Sequence, residues 1–275
     1  MRLPLPGGGS RRSARAAAVV TGAGSGIGRA FALEIARRGG RVVCADVDGT
    51  TAKETAGQIG DHGLAHVCDV ADPDAVAEMA DAAQAWFGRP ADVVVNNAGI
   101  GAGGVVIGEM PLDLWRKTID VNLWGVIHGC HVFAPRMRAA GRGGIINVGS
   151  AASFAAAPRM AAYNVSKAAV LALSETLAAE LSGTGVAVTV LCPTFVKTNI
   201  VNPDTIDDGA ARLAATAMKW TGVSAESVAR SALDALDRGQ LHVVPQLDAK
   251  VIWQAKRLLP GAYTRALGIV ERVAR

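Results

Sequence analysis

The sequence has few charged and few aromatic side chains, and its basic residues are concentrated at its two ends. Only 19% of the 275 residues are charged and 4% are aromatic, whereas 50% are hydrophobic. Residues 1–15 contain four arginines and no acid, residues 246–275 contain six basic and two acidic residues, and the chain between them is net negative. A nucleic-acid-binding domain needs a basic face, so this distribution argues against one. The apolar content also excludes global disorder.

Long hydrophobic runs and cysteine motifs are also missing. No apolar run reaches the 18 residues or so that a membrane-spanning helix needs. The N-terminus is charged but lacks the apolar stretch of a signal peptide, so we expect residues 1–15 to be a flexible extension of a cytoplasmic protein. The four cysteines have no CxxC spacing, which predicts buried, unpaired thiols in a reducing compartment. They are Cys44, Cys68, Cys130 and Cys192.

A metal site has little support in the pattern. His128 and His131 share one face of a predicted helix, but the spacing supplies no further ligand. We therefore expect both to be ordinary helix residues.

Short β-branched runs alternate with segments of helical periodicity. The predicted strands span residues 17–21, 41–46, 65–69, 92–96, 144–148, 186–192 and 241–245, and helices are predicted at 27–38, 75–87, 112–139 and 161–181. Such alternation is typical of an α/β fold, so we expect one doubly wound, parallel seven-stranded sheet over residues 16–245. Residues 246–275 are predicted to form a basic helical extension, which Pro260-Gly261 divides into two pieces.

A glycine-rich turn joins the first predicted strand to the first helix. It reads Thr21-Gly22-Ala23-Gly24-Ser25-Gly26-Ile27-Gly28. Glycines let backbone N–H groups approach a pyrophosphate at the positive end of a helix. A tight turn without a ligand has the same composition, but the strand–turn–helix context favours a dinucleotide site.

An acidic residue ends the second predicted strand, 18 residues after Gly28. The Asp46 carboxylate can accept hydrogen bonds from a ribose diol and would repel a 2′-phosphate. Val47 and the glycine turn carry no charge that could hold a phosphate, so we expect NAD(H) rather than NADP(H). The alternative role of Asp46 is to cap the following turn. Asp69 and Val70, which follow the third strand, are placed to meet the adenine, and the alternative for Asp69 is again a cap.

Four polar residues form a candidate catalytic group. Tyr163 and Lys167 are four residues apart, so one helical face presents both. Ser150 follows a strand at the carboxyl edge where open α/β sheets bind ligands, and Asn122 lies in a long helix. A nearby ammonium favours the phenolate of a tyrosine, which brings proton transfer closer to neutral pH.

These motifs together resemble the short-chain dehydrogenase/reductase family over about residues 15–245. The glycine turn, the segment Asn96-Asn97-Ala98-Gly99 and the group Asn122, Ser150, Tyr163 and Lys167 match the family in order. The implied cofactor contacts are Gly22, Ser25, Gly26, Ile27, Gly28, Asp46, Val47, Asp69, Val70, Asn97, Ala98, Gly99, Tyr163, Lys167, Pro193, Val196 and Thr198.

The resemblance also implies a role for each catalytic residue. Tyr163 is the expected acid/base, Lys167 lowers its pKa and holds the nicotinamide ribose, Ser150 orients the substrate oxygen, and Asn122 positions a water. A homo-tetramer or homo-dimer built on the two long helices is expected. One departure is Thr194, which stands after Pro193 where the family usually has glycine, so the backbone under the nicotinamide is expected to differ locally.

The segments expected to border the substrate are small and apolar. Residues 100–105 and 151–157 contain no Lys or Arg, which favours a hydrophobic alcohol or ketone, although the alanines could simply pack. Residues 199–222 are predicted to form a lid that excludes water. Two other functions remain open: an NADPH-dependent 3-oxoacyl reductase, and a regulator that binds NAD without turnover.

The C-terminal extension is predicted to be amphipathic. Tyr263, Leu267 and Val270 recur at helical spacing, with Arg265 and Arg272 on another side. It could rest on an anionic membrane, or it could be an arm that packs over the pocket or on a neighbouring subunit. We favour the arm.

Overall fold

A parallel seven-stranded sheet forms the centre of the molecule. The computed structural model describes residues 11–194, 196 and 223–273. The strands are β1 (Ala17–Thr21), β2 (Arg41–Asp46), β3 (Gly63–Val67), β4 (Val93–Asn96), β5 (Gly143–Val148), β6 (Val186–Leu191) and β7 (His242–Val243). They are all parallel, in the order β3-β2-β1-β4-β5-β6-β7. This confirms the predicted fold.

Helices cover both faces of the sheet. They are α1 (Gly26–Arg37), α2 (Gly49–Ile59), α3 (Pro73–Phe87), α4 (Leu112–Ile119), α5 (Gly125–Ala139), α6 (Ala152–Ala155), α7 (Ala161–Glu180), α8 (Ala225–Asp237), α9 (Leu247–Leu258) and α10 (Pro260–Val273). One apolar cluster joins the sheet to α1 and α8 through Phe31 and Leu233, and a second joins it to α3, α5 and α7 through Met79, Phe133 and Val170. Burial on both faces explains why the central strands are continuous runs of apolar residues.

Two edge strands differ from their predicted limits. β3 begins and ends two residues earlier than the predicted 65–69, because Asp69 uses its Oδ1 to accept the Ala71 N–H in a turn. β7 contains only His242 and Val243 of the predicted 241–245. Pro245 has no N–H to donate to a neighbouring strand.

The predicted helix over residues 112–139 is interrupted. A π-helical turn, Asp120–Trp124, separates α4 from α5. Asn122 lies in this turn and bonds through its side chain to the backbone of Ile100. The irregular turn therefore serves a contact to a segment outside the helix, as π-bulges at functional sites frequently do.

The helix starts follow elementary capping rules. Asp72 accepts the Asp74 N–H at 2.9 Å, and Pro73 occupies the first position of α3, as the sequence indicates. Pro260 likewise begins α10, so the predicted division of the C-terminal extension is confirmed. We did not predict α2 or α8.

Part of the expected N-terminal extension is held against the domain. Ser13 is fully buried, and it donates to Asp237 through both its N–H and its hydroxyl, at 2.9 and 2.7 Å. Arg38 donates to the Ser13 hydroxyl at 2.8 Å and pairs with Asp234. This network holds Ser13 against α1 and α8, a contact that the expected flexible extension over residues 1–15 does not include. Residues 1–10 lie outside the described residues.

The cysteines are buried and unpaired, as predicted. In the described part of the chain, no helix is long and apolar enough to cross a membrane. Over the same residues, no group of three or more potential ligands is arranged to hold a metal ion. His128 instead contacts the Val70 carbonyl at 2.9 Å and stacks on Trp124.

Candidate active site

The glycine turn has the geometry of an anion site. Gly22 and Gly26 have φ values of 63° and 51°, in the left-handed region. A Cβ on Gly28 would lie 2.0 Å from the Gly22 carbonyl oxygen, so only glycine fits there. Ser25 begins α1 without a side-chain cap, and the first turn contains no acid. The first N–H groups of α1 therefore have no side-chain acceptor, and the positive end of the helix dipole is available to a phosphate.

Asp46 makes two hydrogen bonds, one to the glycine turn and one to the turn that follows β2. Its Oδ2 accepts the Gly24 N–H at 2.8 Å, and its Oδ1 accepts the Asp48 N–H at 3.1 Å. The side chain thus makes the turn-capping contact that was the alternative to ribose binding. The two roles are compatible, because each carboxylate oxygen can accept more than one hydrogen bond.

A cation that the sequence analysis overlooked lies beside the turn. Arg29 donates to the Gly24 carbonyl and, at 3.0 Å, to the Thr55 hydroxyl. It also pairs with Glu54 at 3.1 Å. The uncharged glycine turn suggested that no cation lies near the cofactor site, and Arg29 shows that one does. Its guanidinium already has three partners. One helical turn separates Arg29 from Ser25, which was the signal in the sequence.

Thr21 and Asn97 connect β1 to the segment after β4. The Thr21 hydroxyl accepts the N–H groups of Asn97 and Ala98 at 3.0 and 3.1 Å. The Asn97 side chain donates to the Thr21 carbonyl at 2.9 Å. Asn96 is fully buried and donates to Asn147 of β5 at 2.9 Å. These contacts hold Gly99 at the carboxyl edge of the sheet.

Ser150, Tyr163 and Lys167 come together at the carboxyl end of β5. Lys167 donates from Nζ to the Val148 carbonyl at 2.9 Å, and Nζ lies 5.8 Å from the centre of the Tyr163 ring. Ser153, which the sequence analysis missed, accepts the Ser150 N–H at 3.3 Å and donates to the Lys167 carbonyl at 2.7 Å. This hydroxyl therefore joins the serine loop to the helix that carries the tyrosine and lysine.

Burial governs the protonation of this group. It raises the pKa of Tyr163, and a hydrogen bond with Ser150 acts in the opposite direction. Burial lowers the pKa of Lys167 to about 8. The phenol is therefore protonated at neutral pH, and the ammonium loses its proton more readily than a surface lysine. The lowering of the Tyr163 pKa by Lys167 stays a prediction.

Asn122 forms a second support for the site. It accepts the Ile100 N–H at 2.7 Å and donates to the Ile100 carbonyl at 2.9 Å, so its amide pairs with the backbone. A Cβ on Gly99 would lie 3.1 Å from Asn122 Oδ1 and 3.4 Å from Lys167 Nζ. The segment after β4, the π turn and α7 therefore converge on one point.

The other predicted cofactor residues follow the same edge of the sheet. Val47 is 68% exposed, Asp69 is exposed, and Val70 is buried under Gly125. Pro193 accepts the Ala151 N–H at 2.8 Å, and Val196 is buried in a bridge to Val223. Thr198 and the predicted lid over residues 199–222 lie outside the described residues.

The C-terminal helices pack on the segment between Ser150 and Tyr163. Trp253 of α9 stacks on Phe154 with ring centres 5.7 Å apart. The Tyr263 hydroxyl of α10 donates to the Ala155 carbonyl at 2.8 Å, and Glu271 pairs with Arg159 at 2.9 Å. An arm over this segment was the favoured interpretation of the tail, and these contacts support it.

The prediction that Val270 shares the packed face of the C-terminal helix with Tyr263 and Leu267 is wrong. Tyr263 and Leu267 are half-buried, but Val270 is 64% exposed and Glu271 continues the packed face instead. The three packed positions keep a spacing of four residues, but Glu271 pairs with Arg159, 112 residues away in sequence, and no local pattern indicates that contact.

The arm also contacts the segment after β6. Gln246 accepts the Thr194 N–H at 3.2 Å, and Asp248 accepts the Thr194 hydroxyl at 3.3 Å. Thr194 is the residue that departs from the family pattern. Its hydroxyl gives the arm a contact that glycine could not make.

Comparisons with known proteins agree with the geometry. Residues 16–208 match the short chain dehydrogenase family. A solved short-chain dehydrogenase/reductase from Burkholderia phymatum in complex with NAD is 33% identical, with a TM-score of 0.82 over 87% of this chain and 92% of that one. The 1-deoxy-11-beta-hydroxypentalenate dehydrogenase of Streptomyces exfoliatus is 39% identical over 86% of this chain and 84% of its own.

A third relative is much longer than the matched region. The probable oxidoreductase EphD of Mycobacterium tuberculosis is 45% identical over 66% of this chain, but the match spans only 31% of EphD. The fold, the edge-of-sheet site and the match over residues 16–208 lead to one assignment. The chain belongs to the short-chain dehydrogenase/reductase family of oxidoreductases.

Proposed function

We propose that this oxidoreductase uses NAD(H) to interconvert a hydrophobic secondary alcohol and its ketone. The observation that carries the proposal is the group of Ser150, Tyr163 and Lys167 at the carboxyl end of β5, in which the tyrosine and the lysine are buried. A phenol next to a buried ammonium is suited to moving a proton between a substrate hydroxyl and the protein.

Each residue of the group has a separate task in the proposed reaction. In the oxidation direction, the Tyr163 oxygen accepts the proton of the substrate hydroxyl, and in reduction it returns it. The Ser150 hydroxyl, which bonds with Tyr163, orients the substrate oxygen. The Lys167 ammonium stabilises the phenolate while Tyr163 is without its proton. Asn122, through its pairing with Ile100, fixes the segment beside Lys167.

The glycine turn fits a dinucleotide. The close approach of Gly28 to Gly22 and the uncapped start of α1 leave room and donors for a pyrophosphate. The Asp46 carboxylate would hold the adenosine ribose, and the charge of Arg29 is already matched by Glu54, which supports NAD(H) over NADP(H). The dinucleotide supplies the hydride acceptor or donor.

The substrate class follows from the residues that border the catalytic group. Residues 151–157 contain only Ala, Ser and Phe, and the guanidinium of Arg159, two residues further on, is paired with Glu271. A substrate carboxylate would have to compete with that ion pair. This favours an apolar substrate, although the name of the Streptomyces relative indicates that it oxidises a hydroxylated carboxylate.

A panel of alcohols tests the proposal. NADH formation is followed by absorbance with NAD and with NADP, using cyclic and aryl secondary alcohols and, as matched probes, the same skeletons carrying a carboxylate. We expect the highest kcat/KM with NAD and the uncharged alcohols. Faster turnover of the carboxylates would refute the substrate class. Binding of NADH without turnover of any alcohol would favour the regulator that binds NAD.

We also propose a homo-oligomer assembled through α5 and α7. Trp124, next to α5, and Val165 of α7 are 48% and 50% exposed, which is costly for large apolar side chains on a monomer. Light scattering should give a dimer or tetramer mass for the wild type and a lower mass for Val165→Asp. A monomeric wild type would contradict this assembly.

A further inference from the structure

The two C-terminal helices, α9 and α10, form an arm with two chemically different faces. The inner face packs on the domain: Ala249 is fully buried, Trp253 stacks on Phe154, and Tyr263 bonds to Ala155. The opposite, outer face carries exposed apolar and basic side chains that the packing on the domain does not explain.

The outer face of α9 is a row of large apolar side chains. Leu247, Val251 and Leu258 are 76%, 59% and 72% exposed. Their spacing of four and seven residues places them on one side of the helix, opposite the buried Ala249. On α10, Ile269 is 53% exposed and lies on the side away from Tyr263.

Each helix carries two exposed cations beside its exposed apolar residues. Lys250 and Arg257 are seven residues apart on α9, and Arg265 and Arg272 are seven residues apart on α10. All four are exposed, and within the described residues no carboxylate lies within 4.0 Å of any of them.

The two acids of the arm point to the domain instead. Asp248 accepts from Thr194, and Glu271 pairs with Arg159. The outer face therefore combines exposed apolar groups with cations that pair with no carboxylate of the described residues.

This charge pattern distinguishes between two kinds of partner. A second copy of the chain, docked by a two-fold axis along α9, would bring Lys250 and Arg257 against the same residues of the partner copy, with no acid on that face to compensate. An anionic lipid surface offers negative charge and an apolar layer below it, which matches both features. We propose that the outer face of the arm docks the enzyme on an anionic membrane surface, with the apolar row inserted at the headgroup boundary.

The proposal does not depend on the proposed reaction, so its test needs no substrate. The full-length protein is sedimented with large vesicles of phosphatidylcholine alone or of an equimolar mixture with phosphatidylglycerol. We expect the wild type to bind the mixed vesicles only, and to be released as salt is raised.

Two variants and a matched control sharpen the test. Lys250→Glu with Arg257→Glu should lower the bound fraction at least about tenfold, because each cation contributes separately at an anionic surface. Val251→Asp should lower it as well. The control, Lys53→Glu with Arg230→Glu, makes the same charge change at exposed positions on α2 and α8, outside the arm and outside the proposed oligomer helices, and should bind like the wild type.

The opposite results would overturn the proposal. These are no binding to the mixed vesicles, equal binding to both vesicle types, or the same loss in the control as in the arm variant. Light scattering completes the test: a lower oligomer mass for Val251→Asp would show that a second copy covers this face. Far-ultraviolet circular dichroism of each variant excludes unfolding as the cause of a loss.

Discussion

The two tyrosines of the chain lie in two regions with different tasks. Tyr163 is at the carboxyl edge of the sheet, in the proposed catalytic group, where it is 9% exposed and lies near the Lys167 ammonium. Tyr263 is in the C-terminal arm, where its hydroxyl donates to the Ala155 carbonyl at 2.8 Å. Burial raises the pKa of both.

The two tyrosines differ in the groups that surround their hydroxyls. A backbone carbonyl can only accept a hydrogen bond, so Tyr263 keeps its proton, and its hydrogen bond holds α10 against the segment at Ala155. Tyr163 has a hydroxyl partner in Ser150 and a cation nearby, so a proton can leave its oxygen and the resulting charge can be stabilised. The comparison teaches that the group around a phenol, rather than the phenol or its burial, decides between a structural and a chemical role.

Apart from loss of the Tyr163 oxygen itself, the largest expected effect comes from removing the cation in the proposed catalytic group. Lys167→Met should lower kcat about 100-fold or more, because the phenolate loses its stabilisation. Lys250→Met, the matched change in the arm, should leave kcat in solution unchanged. Steady-state assays of both variants check this, and similar kcat values for the two would break the distinction between the regions.

The cofactor preference is the next test. Asp46→Ser should raise the ratio of kcat/KM with NADP to that with NAD at least about tenfold, since it removes a charged acceptor and its repulsion of a phosphate. Asp48→Ser is the matched control, because Asp48 accepts the Thr50 N–H at the start of α2. It should lower stability and leave the preference as it is. An unchanged preference in Asp46→Ser would contradict the assignment of that carboxylate.

The buried lysine also predicts a pH dependence of stability. The Lys167 pKa is about 8 in the folded protein, below the value of about 10.4 in an unfolded chain. Between these values the unfolded state binds more protons, so folding becomes more favourable as pH rises. Wild type should gain up to about 3 kcal/mol relative to Lys167→Met between pH 7 and about pH 10.5. Urea unfolding of both proteins measures this, and a constant difference would contradict it.

The smallest effect is expected in the arm. Glu271→Gln weakens a pair with Arg159 whose side chains are 17% and 39% exposed, so the loss of stability should be below about 1 kcal/mol. The substrate KM should rise with kcat unchanged, because Arg159 borders the substrate segment. Asp113→Asn, in the exposed pair with Arg116, should change neither. A fall in kcat for Glu271→Gln would contradict this prediction, because it would mean that the arm affects the chemical step and not only substrate binding.

The sequence is most informative where a local pattern of residues has a single structural cause. Glycine spacing, alternating strands and helices, and Asp72-Pro73 each have a local cause, and the sheet and the helix starts follow from them. The proposed catalytic group was singled out because Tyr163 and Lys167 share a helical face and Ser150 follows a strand.

The sequence is least informative where contacts between residues far apart in the chain determine the local structure. The π turn depends on Asn122 meeting Ile100, 22 residues earlier. The order in residues 11–15 depends on Ser13 meeting Asp237, 224 residues later. Helix α2 was missed because it is short on large apolar residues, with only Ala52, Thr55 and Ala56 buried, so it has a weak periodic signal.

The most direct test of the account removes the same oxygen atom from each region. Tyr163→Phe and Tyr263→Phe are compared for NADH binding by fluorescence titration and for turnover of the best alcohol. The account predicts that both bind NADH like the wild type. It predicts that turnover falls about 100-fold to 10,000-fold in Tyr163→Phe only. Equal turnover in the two variants would contradict the claim that Tyr163 carries the proton.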